Sequence, residues 1–377
     1  MAGTFGEQLR EYRIAAGLSM GQLAKLIHYS KGYLSKIEND VKPPTPTVAR
    51  LCDGVLGVGG KLLEAALYSS PPAAAAGIRS RPVPDELVIG GMRASFEQLR
   101  RLGLLTSPTL LLEPLKALQH TVHGLARENT GPAGTTLLRL AARIAEYTGW
   151  MSQEAGDERD ALRWTRQASE LSRAAGDPDI ASYTFVREAG LALYRQDARG
   201  TITLAQQAQW IGQAGLRVLA LAARREAQGH ALAGDRYAAE RAFDRAAQPI
   251  GAVEQEGPYP VLGSSAPDPL ELARGWSLCD LGLTVEAAAV LDRQLTLLPA
   301  SSRRARARFG TRLSLAYALS GEVGQSCVTF AGIMDDAAHV DSATIRTDLH
   351  QLTRTLGRWH NHGAVREIFP DLRRLLA

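Results

Sequence analysis

One spacing of small residues recurs four times in the C-terminal part of the chain, and it leaves few folds open. Gly149, Gly156 and Ala161 set the pattern: a small residue, a glycine seven positions on, and Ala or Ser five beyond that. Ala227, Gly234 and Ala239 repeat it, as do Gly275, Gly282 and Ala287, and then Ser314, Gly321 and Ser326. A degenerate copy around Gly190 to Ala208 fills the gap after the first. Apolar residues between these positions fall three and four apart, the helical period. The pattern therefore predicts helical hairpins. Small residues sit where paired helices cross, and the glycine sits in the turn, where Gly-Asp at 156–157 and 234–235 is good turn chemistry. One hairpin cannot bury its apolar face alone, so stacking must build the core and leave a concave groove. No convincing alternating strand appears, and the expected fold class is all-α.

At 377 residues the chain has room for two or three domains. Residues 69–84 (SSPPAAAAGIRSRPVP) are small, polar and proline-bearing, which marks a linker. The expected organisation is a DNA-binding domain over 1–68, the linker over 69–84, and a helical repeat domain for sensing or dimerisation over 85–377. The Pro/Gly-rich stretch Pro249 to Pro269 reads as a loop between helices. Net charge is +4, which permits an anionic partner without requiring one. Cys52, Cys279 and Cys327 are odd in number and far apart, against a disulfide framework or zinc site. The longest apolar run, Val218 to Ala223, stops at Arg224 and Arg225, well short of a membrane span. The first residues lack the apolar core of a signal peptide. A cytoplasmic protein without a membrane partner is expected.

The N-terminal 68 residues carry the sharpest local signal. Ser19 is a good N-cap for a short helix with Leu23, Ala24 and Ile27 on one face. His28-Tyr29 makes a tight turn. Ser30 caps a second helix, Lys31 to Glu38, whose apolar face is Leu34 and Ile37. Leu9 and Ile14 of the preceding helix are expected to close the core. Two short helices joined by so tight a turn form a helix-turn-helix, whose second helix enters the DNA major groove. That places Lys31, Gly32, Tyr33, Ser35 and Lys36 at double-stranded DNA. The lysines can donate to guanine or phosphate, and Gly32 permits close backbone approach. Ser19, Gln22 and Ser30 are expected at the phosphates with the helix N-termini. Tyr33 is expected to pack or touch sugar-phosphate rather than read a base, and Lys42 and Lys61 to be ordinary solvated charges.

These residues resemble the XRE/Cro repressor family over roughly Phe5 to Leu67, through LREYRIAAGLSMGQLAKLI, KGYLSKIEN and T-VARLCDGV. The resemblance implies a five-helix, lambda-repressor-like domain. It also implies a structural Arg13–Glu38 salt bridge, and an Asn39 that caps the recognition helix and touches the DNA backbone. His28 stands where the family has a left-handed glycine, a conformation that His tolerates better than most residues.

AGDRYAAERAFDRA resembles the tetratricopeptide repeat, although the period here is nearer 40 residues than that family's ~34. The combination resembles the peptide-pheromone regulators grouped as RRNPP, and also similar regulators of high-GC bacteria. In the pheromone receptors asparagines clamp the peptide backbone. Beyond the N-terminal domain this chain has only Asn129 and Asn361, with Gln206, Gln207, Gln209, Gln213 and Gln228 as substitutes. Arg187, Arg224 and Arg225 suit a carboxylate held by two bonds. With Tyr194 and Gln228 they are the candidate effector-binding residues, for a peptide or small molecule. Tyr183, Tyr194, Trp210, Trp276 and Trp359 are expected mainly in the core.

Sequence-specific transcription regulation is thus the leading expectation, with a homodimer binding two half-sites and making its dimer contact in the repeat domain. The alternative is a helical-repeat scaffold, or an antitoxin-like protein whose helix-turn-helix binds a partner. No HExxH, GxGxxG, Walker A or GxSxG motif occurs. His120 and His123, three apart, read as a solvated or core pair rather than metal ligands. His360-Asn361-His362 lacks the setting of a nuclease motif. No enzymatic activity, metal or cofactor is expected.

Overall fold

The structure, a computed structural model, describes residues 4–68, 84–248, 262–263 and 266–376. Most of the expected linker and most of the loop after Pro249 lie outside these residues. The chain divides into two compact units, Met1–Arg81 and Pro82–Ala377. All regular structure among the described residues is helical.

Among its described residues the first unit has five helices: α1 (Phe5–Ala15), α2 (Met20–Leu26), α3 (Lys31–Glu38), α4 (Pro46–Leu56) and α5 (Lys61–Tyr68). Side chains start most of them. Thr4 with Glu7 and Ser19 with Gln22 form reciprocal capping boxes, Ser30 caps α3, and Thr45 caps α4 with Pro46 following. Asp53 then accepts from the Gly60 and Leu62 amides (2.7 and 2.9 Å), which fixes the start of α5. Phe5, Leu9, Leu23, Ile27, Leu34 and Ile37 are fully buried with Val48, Cys52 and Leu62. Ile14 does not join them and is 60% exposed. Five positions beyond Leu9 it is rotated by roughly 140° around the helix, away from the core, and Phe5, one turn before Leu9, fills the role instead. The buried Cys52 thiol is pushed up to about 11, first by burial and then by Asp53.

The second unit opens with α6 (Glu86–Leu102) and α7 (Thr109–Glu128). Five hairpins follow: α8 (Gly131–Glu154) with α9 (Glu158–Ala174), α10 (Pro178–Tyr194) with α11 (Ala198–Trp210), α12 (Leu216–Leu232) with α13 (Arg236–Ala247), α14 (Pro269–Asp280) with α15 (Thr284–Leu297), and α16 (Arg303–Leu319) with α17 (Val323–Ala331). The short α18 (Met334–Val340), then α19 (Ala343–Leu356) and α20 (Gly363–Leu376), end the unit.

The repeated spacing has the expected structural cause. Gly156, Gly234, Gly282 and Gly321 have φ between +75° and +89°. In each turn the next residue's amide bonds back five positions, as Asp157 to Ser152 O and Asp235 to His230 O (both 2.9 Å). The second hairpin makes the same bond, Asp197 to Ala192 O, but its left-handed residue is Gln196 at φ +61°. Ala189, Gln196 and Thr201 are therefore its copy of the spacing, hidden because the turn glycine is missing. At the crossings the helices meet closely. A Cβ on Gly149 would sit 3.1 Å from Ala161 O, and the Ser314 and Ser326 hydroxyls are 3.0 Å apart.

The expected open groove is drawn closed at one point. The Arg304 guanidinium donates to Gly103 O and Thr106 O (2.7 Å each), and its amide donates to Leu104 O (3.0 Å). Its remaining nitrogen meets Glu154 at the end of α8 (2.8 Å). Glu154 also takes Arg308 (2.5 Å), Ser342 (2.7 Å) and Thr344 (3.1 Å). Five groups from α16 and the α18–α19 junction thus converge on the first hairpin and the α6–α7 connection, far apart in sequence.

Candidate functional site

Two sets of residues stand out, one in each unit. In the first, Arg13 donates two bonds to Glu38 (2.7 and 2.8 Å) and one to Leu18 O (2.9 Å), locking α1 to the end of α3. Hydrogen bonding to Glu38 is the main cause of a raised Arg13 pKa, so the guanidinium stays charged. Gly6 is part of the same junction, since a Cβ there would sit 2.6 Å from Glu38 O. Asn39 donates to Ser35 O (2.8 Å) and closes α3, as the resemblance implied. His28 adopts φ +59°, the left-handed conformation that turns the chain between α2 and α3.

This frame presents one polar face. Ser19, Gln22, Ser30, Lys31, Gly32, Lys36 and Asn39 are exposed, and Tyr33 and Ser35 are half-buried. The Ser19 and Ser30 hydroxyls each accept a backbone amide (3.3 and 3.2 Å), which leaves their protons free to donate. The Gln22 carboxamide oxygen accepts from the Ser19 amide (2.8 Å) and leaves its NH2 as donor. No Cβ contact within 4 Å would exist at Gly32, so the surface beside it is open. Tyr33 stacks on Tyr29 at 5.3 Å, and Lys42 lies 4.7 Å over its ring. Lys42 is thus a packing partner of Tyr33 rather than a simple solvated charge. The face carries Lys31 and Lys36 and no acidic side chain, a surface built to donate to an anionic backbone.

The second set surrounds a cavity of about 260 Å³ lined by α6, α8, α10, α12, α14 and α16. Eight arginines line it: Arg100, Arg101, Arg143, Arg187, Arg224, Arg225, Arg304 and Arg308. Three carboxylates serve six of them. Glu97 takes Arg100 (3.0 Å) and Arg101 (3.6 Å), Glu146 takes Arg143 (3.4 Å) and Arg187 (3.6 Å), and Glu154 takes Arg304 and Arg308. Burial opposes the Glu154 charge, but Arg308 and then Arg304 overcome this and hold its pKa at about 2. Arg224 and Arg225 have no carboxylate at ion-pair distance among the described residues. Arg224 reaches only Pro269 O, at 3.5 Å. Arg225 donates to the Gln228 carboxamide (2.8 Å), and the Nε of each arginine has no partner. Burial, then Arg224 and Arg187, push the Arg225 pKa down to about 9. Burial also lowers that of Arg224.

The candidate effector residues are only partly brought together here. Arg187, Arg224, Arg225 and Gln228 line the cavity, with Tyr183 and Trp276. Tyr194 does not; it lines a separate depression with Gln153 and Thr344, and touches the cavity through an edge-on contact with Trp276 at 5.5 Å. Gln206 and Gln209 are committed to Glu226 (3.1 and 2.8 Å), so they are no substitutes for a peptide clamp. Trp210 and Trp359 are 78% and 43% exposed, outside both core and cavity. Sequence reasoning missed Tyr147, Trp150 and Phe309 in this wall. They are one-per-turn residues of inner helices, which only the stacking brings together.

The fold and the first set define a protein with a helix-turn-helix unit followed by a helical-hairpin repeat unit. A family model described as a helix-turn-helix domain matches residues 4–66. No relative among curated proteins matches the sequence. Among solved structures, the chain is similar to PlcR of Bacillus thuringiensis, crystallised with the peptide PapR7 and DNA. That similarity is 10% in identity, covers 99% of this chain and 94% of PlcR, and has a TM-score of 0.26.

Proposed function

We propose that the protein is a cytoplasmic, sequence-specific DNA-binding transcription regulator, without enzymatic activity, whose repeat unit holds an effector. The observation that carries this is the face of α3: exposed Lys31, Gly32 and Lys36, with capping hydroxyls at both helix starts, on a scaffold held rigid by the Arg13–Glu38 bridge. Lys31, Gly32, Tyr33, Ser35 and Lys36 approach the major groove, with Lys31 and Lys36 donating to guanine edges or phosphates. Ser19, Gln22, Ser30 and Asn39 fix the register on the backbone. A homodimer joined through the repeat unit would place two such helices on half-sites one helical turn apart. Effector binding in the cavity would shift the population of DNA-competent arrangements.

Selection from fragmented genomic DNA tests the reading. The wild-type chain is expected to enrich fragments sharing a two-fold-related element, and Lys31→Ala with Lys36→Ala to enrich none. Equal recovery of all fragments by both proteins would refute specific readout.

A further inference from the structure

We infer that the cavity of the repeat unit is a binding site for a small organic anion, a carboxylate or phosphate carried on an aromatic or apolar body, with Arg224 and Arg225 as its recognition pair. This rests on the effector-binding reading above and names the class of effector. Two adjacent cations side by side in a part-buried wall repel one another and, among the described residues, lack the carboxylate partner that every other arginine of the cavity has. Their arrangement is built rather than accidental. Gly190 of α10 leaves room for the Arg225 guanidinium, since a Cβ there would lie 3.3 Å from its Nη2. Gln228 orients the same group from one turn further along α12. A planar guanidinium offers two parallel donors, the match for a carboxylate or phosphate edge.

Size and lining define the rest of the ligand. A space of about 260 Å³ lies at the lower edge of the usual range for small-molecule pockets. That suits a single ring with an acidic substituent. Trp150, Trp276 and Phe309 supply flat apolar wall, and Arg312 already stacks on Trp276 at 3.5 Å. The ligand would thus put its anion on α12 and its body against α8, α14 and α16.

The test uses the full chain with benzoate, phenyl phosphate and uncharged benzyl alcohol, read by melting temperature and tryptophan fluorescence. At least one of the two anions is expected to raise the melting temperature of the repeat unit in a saturable way and to change the fluorescence, with benzyl alcohol inert. Which anion acts tells carboxylate from phosphate. Arg225→Met is expected to abolish the response and to melt above wild type without ligand, because the uncompensated charge is gone. Arg225→Lys, which keeps the charge but not the fork, is expected to fold and to lose at least tenfold in apparent affinity. Inertness of both anions, an equal response to benzyl alcohol, or a full response in Arg225→Lys would overturn the proposal, and so would an Arg225→Met melting below wild type. No DNA enters these readouts, so the DNA-binding reading can fail without touching this one, and the reverse.

Discussion

Replacing Glu154 by Gln keeps the shape of the side chain and removes the charge on which Arg304 and Arg308 converge. The expected loss follows from the structure in two ways. The Glu154 pKa falls from 4.5 to about 2 on folding, and at ~1.4 kcal/mol per unit this is worth about 3 kcal/mol. Leaving a buried charge without its partner costs about 3–5 kcal/mol, the same range. In a unit of this size each kcal/mol moves the melting temperature by roughly 2 °C, so Glu154→Gln should melt roughly 6 °C below wild type near neutral pH. The sign with pH is fixed by the direction of the shift. The folded pKa is depressed, so the stabilisation is complete above about 4.5 and is lost as pH falls towards about 2. Thermal or urea unfolding of both proteins across that window should therefore show a gap that closes with acid. A gap under about 1 kcal/mol at neutral pH, or one that acid leaves unchanged, would refute the view that Glu154 ties the first hairpin to the last.

Further outcomes follow from other residues. Arg13→Ala removes three hydrogen bonds and strands Glu38, so it should destabilise the first unit by about 3 kcal/mol in chemical unfolding. Gly6→Ala forces a Cβ to 2.6 Å from Glu38 O and should also lower the unfolding midpoint of that unit. His28→Gly relieves a left-handed non-glycine residue and should raise the stability of the first unit by roughly 0.5–1 kcal/mol, and Gln196→Gly should do the same for the second. An unchanged or lowered midpoint in both would mean that neither turn is strained.

What the sequence revealed and what it hid divide along physical lines. Local signals were legible. Capping hydroxyls at Ser19 and Ser30, the tight turn at His28-Tyr29, and the periodic Leu23, Ile27, Leu34 and Ile37 depend on near neighbours in the chain, and the left-handed position at His28 followed from the family resemblance. The hairpin repeat was legible because the same turn must be solved each time, and Gln196 obscured one copy by solving it without glycine. Contacts between distant segments left no trace. Nothing near Glu154 indicates that Arg304, 150 residues away, will meet it. The cavity was half legible: Arg224 and Arg225 stood out as adjacent basic residues at the end of an apolar run, with Arg187 a candidate beside them, whereas the aromatic wall exists only once the inner helices are stacked. Ile14 shows the opposite failure, since hydrophobicity suggested burial that the helical phase denies.

The central claim is that α3 grips DNA, and the salt dependence of binding to an enriched genomic fragment tests it most directly. Wild type should bind that fragment over an unrelated one, with the logarithm of affinity falling linearly with the logarithm of salt. Lys31→Ala with Lys36→Ala should lose most of that affinity and flatten the slope by about 0.9 for each phosphate contact removed. A double mutant that binds like wild type, or a wild type whose binding ignores salt, would contradict the account.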